Sequence, residues 1–320
     1  MSRERRIPSS RLGRFSQLGR LAGGMVGGMV GEGARQLASG NRPALGDLLL
    51  TPANAKRLAE RLSEMRGAAM KIGQLLSMDS GQILPPQLGE ILTRLREDAH
   101  RMPLGQVAQV LDESLGKQWK QAFERFDFTP IAAASIGQVH KARLKDGRDV
   151  ALKLQYPGIE ESIDSDIRNV AMLLKLSGVL PDGLDLAPLL DEARQQLYHE
   201  ADYVHEAELL QRFHAFLEED ERFVVPAVVE ELSSKRILTM EFLHGEPIET
   251  IETLETARRN EAARRLTELA FREVFDWGLV QTDPNFANYL YEKETGRIQL
   301  LDFGAAREHD REKRAAMRLL

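Results

Sequence analysis

The chain contains no cysteine in its 320 residues. That excludes disulfides, thiolate metal sites and cysteine nucleophiles, and it fits a reducing compartment. Aromatics are scarce, 6% of residues with only two tryptophans, and no apolar run is long enough to cross a bilayer. The best candidate, Leu21–Gly31, is eleven residues bounded by Arg20 and Glu32, whereas a spanning helix needs roughly 20. It also lacks the form of a cleavable signal peptide. Positive charge is not in surplus: a formal charge of −6 gives no bulk attraction for nucleic acid. What is present, 42% hydrophobic and 29% charged residues, is the composition of a soluble globular protein of one large or two ordinary domains.

The N-terminus departs from that average. Arg3, Arg5, Arg6, Arg11, Arg14 and Arg20 face one acid, Glu4, and Gly23-Gly24-Met25-Val26-Gly27-Gly28-Met29-Val30-Gly31 follows. Small residues four apart permit close helix approach, notably in membranes. Three readings fit: a mobile basic arm with a Gly-rich linker, a membrane-surface or homodimer contact, and an Arg- and Ser-rich organelle-targeting presequence. The expected location is the cytoplasm or a membrane periphery, with an organelle as the alternative.

Thr51-Pro52 reads as a helix N-cap and first helical residue. Leu58, Leu62, Met65, Ala69, Ile72 and Leu76 then form an apolar helical stripe. Pro85-Pro86 breaks the chain, and Leu88 to Leu95 resumes a helical pattern, so residues 1–125 read as a helical extension. Beyond Pro130, Val139 to Leu144 and Val150 to Tyr156 flank Lys145-Asp146-Gly147-Arg148, a hairpin signal. Residues 159–222 read as helical, interrupted at Pro181-Asp182-Gly183. Phe223 to Val229 and Arg236 to Phe242 read as strands about Ser233-Ser234. Residues 260–277 read as an amphipathic helix with Ala262, Leu266, Leu269, Ala270 and Val274 on one face. Tyr289 to Tyr291 and Arg297 to Leu301 read as a hairpin around Gly296 that delivers Asp302.

Asp283-Pro284-Asn285-Phe286-Ala287-Asn288 precedes that hairpin, and Asp302-Phe303-Gly304 follows it. An Asp-Phe-Gly alone arises by chance in many proteins. An Asp, an Asn five residues on, and a strand ending in Asp-Phe-Gly is how protein-kinase-like sites hold Mg²⁺ and ATP. A carboxylate and an amide carbonyl are the hard oxygen ligands magnesium takes beside phosphates. The element order predicts an α+β, protein-kinase-like, two-lobed fold.

In Val150-Ala151-Leu152-Lys153, Ala151 and Lys153 share a strand face: a small residue for adenine and a lysine for the α/β-phosphates. Such a lysine needs an orienting carboxylate. Glu200 and Glu206 lie on a predicted helix six residues apart, hence about 240° apart, so they cannot share one partner. Ala132, Ala133, Ala134, Ser135 and Gly137 occupy the place of the Gly-rich phosphate loop. Alanines remove the φ > 0 freedom of glycine, so the phosphate cradle should differ. Met240-Glu241-Phe242-Leu243 falls at the hinge, where backbone at Glu241 and Leu243 would pair with adenine.

With these residues in place, the chain resembles the UbiB-like atypical kinase family, linked to ubiquinone biosynthesis, over roughly residues 45–310. The most specific element is Lys71-Ile72-Gly73-Gln74, matching the family's Lys-x-Gly-Gln signature. Ala132 to Gln138 resembles its Ala-rich loop, Glu200 and Asp202 its Glu-x-Asp motif, and Asp283 to Asn288 its Asp-Pro-Asn-x-x-Asn loop. The resemblance implies that Lys153 binds phosphates and pairs with Glu206, that Asp283 sits at the catalytic-base position, and that Asn288 and Asp302 hold Mg²⁺. It implies that Lys71 and Gln74 contact Glu200 and occlude the groove where peptides would dock. Lys71 and Gln74, three apart, share one side of a helix, and Gly73 permits close packing.

Two departures bear on function. Asp283 follows Gln281-Thr282, not His-Arg, so the Arg that reads a phosphorylated activation loop is absent; phosphate-dependent activity would refute the inference that this switch is missing. The chain also ends 18 residues after Asp302, where kinase C-lobes continue with several helices, so a truncated or minimal lobe is expected. The domains expected are a basic Gly-rich segment (1–44), a helical extension bearing Lys71–Gln74 (45–125), an N-lobe with a helical insert (126–243) and a short C-lobe (244–320). The expected function is an Mg-ATP-dependent ATPase or phosphotransferase serving isoprenoid quinone biosynthesis. Nucleotide, an isoprenoid lipid or quinone precursor, and a membrane surface are the expected partners. The alternatives are a non-catalytic pseudokinase scaffold and an ordinary protein kinase.

Overall fold

The computed structural model describes residues 62, 65–79, 101–177, 185–283 and 285–318. The N-terminal Arg/Gly segment, the Thr51-Pro52 cap, Pro85-Pro86, the 88–95 helix and Pro181-Asp182-Gly183 lie outside these residues. In chain order the elements are α1 (Arg66–Asp79), α2 (Leu104–Leu115), β1 (Phe123–Phe126), β2 (Ala132–Ala133), β3 (Gly137–Leu144) and β4 (Asp149–Gln155). Then come α3 (Ile159–Ser177), α4 (Ala187–Glu200), α5 (Tyr203–Leu217), β5 (Phe223–Val224), β6 (Ile237–Glu241) and β7 (Glu246–Pro247). They are followed by α6 (Thr256–Arg272), β8 (Leu279–Gln281), β9 (Tyr289–Tyr291), β10 (Ile298–Leu300), β11 (Ala306–Glu308) and α7 (Arg311–Met317). The fold is α+β. No described helix is long and apolar enough to cross a membrane.

The chain divides into two compact units. The first comprises the described parts of Met1–Val110, with Pro130–Gln138 and Gln155–Ala201. Its core is helical: α1 packs on α3 and α4, and α3 packs on α4. Leu62, Met65, Ala69 and Ile72, four members of the predicted stripe, are buried, as are Ile163, Ile167, Val170 and Leu174 of α3 and Ala193 and Leu197 of α4. Periodic burial of this kind, more than propensity, holds short helices in place.

The second unit comprises Leu111–Thr129, Val139–Leu154 and Asp202–Leu320. Its first sheet runs β1-β3-β4-β6. The Asp146-Gly147 turn joins β3 to β4, with Gly147 at φ 92°, the left-handed backbone that glycine adopts without cost. A second sheet runs β5-β10-β9-β7, and β8 pairs with β11. The predicted hairpin is β9–β10, with Leu300 opposite Tyr289.

Four local expectations differ. The stretch expected to be helical to 125 ends in a 3-10 turn, Trp119–Ala122, and strand β1. Trp119, Phe123 and Phe126 pack edge to face and set β1 against β3. The helix expected through Glu200–Glu206 breaks at Asp202, whose φ −102° and ψ 86° are non-helical and whose side chain accepts from His205 N; Asp is a strong N-cap. Of Phe223–Val229 only Phe223–Val224 is strand, because Val228 makes just an isolated bridge to Met240. The helix expected through 277 ends as α at Arg272 and widens into a π turn, Glu273–Trp277, closed by Gly278 at φ 67°.

Candidate active site

In the second unit, three elements converge on Lys153. Strand β4 presents it, α5 presents Glu206, and the segment after β10 presents Asp302. Lys153 Nζ donates to Glu206 Oε1 at 2.7 Å and Oε2 at 2.9 Å, and to Asp302 Oδ2 at 3.0 Å. Lys153 and Glu206 are buried, while the Asp302 side chain keeps 36% exposure. Burial works against the lysine's charge, but Asp302, Glu206 and Tyr203 outweigh it and hold the ammonium well above its ordinary range. The lysine is therefore a fixed cation.

The Asp-Phe-Gly residues are fitted to this pair. Phe303 is buried and stacks on Phe213 of α5 at 4.3 Å, which ties Asp302 to the helix carrying Glu206. Gly304 N donates to Asp302 Oδ1 at 3.0 Å. A Cβ at Gly304 would meet Glu206 Oε2 at 3.3 Å, so the glycine leaves room for the carboxylate.

The loop after β8 carries Asp283 and Asn288. Gln281-Thr282 stand where a kinase has His-Arg, and Gln281 is a structural clasp. Its Nε2 donates to Asp302 O at 2.6 Å and its Oε1 accepts from Asp283 N at 3.1 Å. Thr282 Oγ1 donates to Ala305 O at 2.6 Å, and Asn288 Nδ2 donates to Asp283 O at 3.4 Å. The donors suited to a cation are the Asp302 and Asp283 carboxylates and the Asn288 amide oxygen. No described cluster of three or more acids or histidines could hold a metal alone. That donor set fits magnesium, which takes few protein oxygens and completes its shell with phosphates and water. Pro284 lies outside the described residues.

Ala151 is buried opposite Met240, and Val150 lies opposite Glu241. Glu241 is exposed and Leu243 half-buried beyond β6.

The first unit holds the remaining expected residues. Lys71 is buried and pairs with Glu200 Oε1 at 2.5 Å, while Ser135 Oγ donates to Glu200 Oε2 at 2.5 Å. Glu200 thus joins α1 to the Ala-rich loop. Ala132 and Ala133 form β2, and Ala134 N donates to Gly137 O at 3.0 Å. No residue of this loop has positive φ, so alanines suffice there. The close packing on α1 falls at Gly67, where a Cβ would lie 2.9 Å from Ile136 Cγ2; Gly73 is buried too. Gln74 is half-buried and makes no hydrogen bond to Glu200 among the described residues. Asp202, which opens the last segment of the second unit, is placed by its side chain as the N-cap of α5.

Sequence reasoning missed Glu273. It lies four residues after Leu269, in line with the apolar face of α6 but one residue past its end, and is buried. An acid on a buried helical face was the available signal.

Residues 94–320 match the ABC1 atypical kinase-like domain. The chain is 43% identical over 312 residues to zebrafish (Danio rerio) "Atypical kinase COQ8B, mitochondrial", covering 96% of this chain and 50% of that protein. It is 42% identical over 301 residues to Saccharomyces cerevisiae "Atypical kinase COQ8, mitochondrial", covering 94% and 60%. The chain thus spans half or a little more of the length of these relatives. A solved structure described as the complex of Rv3197 with erythromycin, from Mycobacterium tuberculosis, superposes with a TM-score of 0.55 at 34% identity, covering 80% of this chain and 65% of that one.

Proposed function

The chain belongs to the ABC1 atypical kinase-like family, and from that premise we propose that it binds Mg²⁺–ATP and hydrolyses it, or transfers its terminal phosphoryl group to a small lipid-like acceptor. We assign this activity to the support of isoprenoid quinone biosynthesis at a membrane surface, not to protein phosphorylation. The observation that carries the reading is the Lys153–Glu206–Asp302 arrangement, a buried cation poised beside a partly exposed carboxylate.

The roles follow from the chemistry. Lys153 neutralises phosphate oxygens, and Glu206 keeps it extended. Asp302 and the Asn288 amide oxygen would hold magnesium, which when bound neutralises charge on the nucleotide phosphates. Asp283 accepts a proton from the attacking hydroxyl or water. Gln281 fixes the spacing of Asp283 and Asp302 through neutral hydrogen bonds, so no phosphorylated loop is needed to assemble them. Lys71 and Gln74 are assigned a regulatory role. The names of the matched relatives, atypical kinases of mitochondria, support the quinone context.

The test is ATP turnover by wild type, Asp302→Asn and Lys153→Ala, with and without liposomes and quinone-precursor mimics. Losses of about 100-fold or more in both variants are expected. Equal rates would sink the catalytic reading, and nucleotide binding without turnover would return a scaffold role.

A further inference from the structure

Glu273 is 5% exposed, and no described lysine or arginine is paired with it. Burying such a carboxylate in its charged form costs stability unless it is paired and hydrogen-bonded. It opens the π turn Glu273–Trp277, a rare widened turn frequently found at functional sites. Gly278, at φ 67°, then reverses the chain into β8. The reversal returns Gln281 N to 2.9 Å from Glu273 Oε2, donating to it. Gln281 in turn fastens Asp283 N and Asp302 O.

We propose that Glu273 is a positioning residue: its carboxylate anchors the Gln281 backbone, and through the Gln281 side chain it sets the placement of Asp283 and Asp302. The inference rests on the catalytic reading of that site. Burial raises the Glu273 carboxyl to about 7, against the opposing pull of Gln281 N. Among the described residues the titratable group that senses it is the Tyr289 phenol, pushed up to about 12 by burial, then by Glu273 and Asp283. Tyr289 therefore stays neutral while Glu273 changes state near neutrality. The carboxylate is the stronger acceptor for Gln281 N–H, so the clasp tightens as pH rises.

The experiment compares wild type, Glu273→Gln and Gln281→Leu between about pH 5.5 and about 9. It measures kcat and KM for ATP, and deuterium uptake at residues 279–283 corrected for intrinsic exchange. Wild-type kcat should rise with an apparent pKa near 7, and corrected uptake at 279–283 should slow over the same range. Glu273→Gln, of the same size, should lose both pH responses and about tenfold or more of the high-pH kcat, with KM nearly unchanged. Gln281→Leu should lose as much, and adding Glu273→Gln to it should cost nothing further. A limb that persists in Glu273→Gln, or additive losses in the double variant, would overturn the proposal. If wild type turns over no ATP, the catalytic reading fails; the exchange response at 279–283 still decides whether Glu273 anchors Gln281.

Discussion

Lys153 grips Glu206 with both carboxylate oxygens, at 2.7 and 2.9 Å, across 53 residues of sequence. The pair is shielded from water, so its worth lies in mutual compensation. Replacing Glu206 by Ala leaves the buried ammonium with the partly exposed Asp302 carboxylate and the Tyr203 ring. The expected loss is about 3 kcal/mol in urea unfolding, with a raised KM for ATP. A loss below about 0.5 kcal/mol, the range of ordinary surface changes, would show that the pair is not the anchor.

Glu273 gives a pH signature in stability. Its carboxyl rises from 4.5 when unfolded to about 7 when folded. A raised folded value means that the protonated form is favoured in the native state. The contribution is fully present below 4.5, falls as pH rises through about 7, and stays lost above it. Glu273→Gln removes this dependence. The variant should therefore gain roughly 2–3 kcal/mol on wild type between pH 5 and pH 8, even as it loses activity. Parallel stability curves would contradict the burial of an ionisable group there.

Gly67 tests the packing of α1 on the Ala-rich loop. In Gly67→Ala the new methyl would sit 2.9 Å from Ile136 Cγ2, 3.5 Å from Ser135 O and 3.6 Å from Leu197 Cδ2. Overpacking costs about 1–3 kcal/mol and outweighs the helix-propensity gain of at most about 1 kcal/mol. Net destabilisation is expected, and it should vanish in an Ile136→Ala background, where the methyl has room.

The Phe213–Phe303 stack tests how Asp302 is held. Phe303→Ala should cost about 3–5 kcal/mol. The Phe213→Ala/Phe303→Ala pair should cost less than the sum of the singles by about 1 kcal/mol. Strict additivity in a double-mutant cycle would separate the two rings energetically.

Much of the second unit was readable because its signals are local. The Asp146-Gly147 turn sets β3 and β4, Gly296 closes β9–β10, and the Asp-x4-Asn and Asp-Phe-Gly spacings stand in the chain itself. Of the readings that failed, one turned on a local cap and the others on distant partners. Val225–Val229 reads as strand by composition but finds only an isolated bridge. Glu200–Glu206 reads as one helix until Asp202 turns its side chain back as a cap. Glu273 interrupts an apolar face for a reason visible only once β8 folds back on it.

The sequence by itself determined the residue chemistry: which carboxylates, amides and lysines exist, at what spacing, and on which periodic faces. These follow from local backbone geometry, which has fixed periods. Only the tertiary structure decided who meets whom. It gave Lys153 to Glu206 and to Asp302, 149 residues away, gave Glu200 to Lys71 and Ser135, and turned Gln281 from an anomaly before Asp283 into the clasp between two aspartates. Burial and long-range pairing depend on the packing of the whole unit, and burial strips each group of its water and so fixes the state in which it acts.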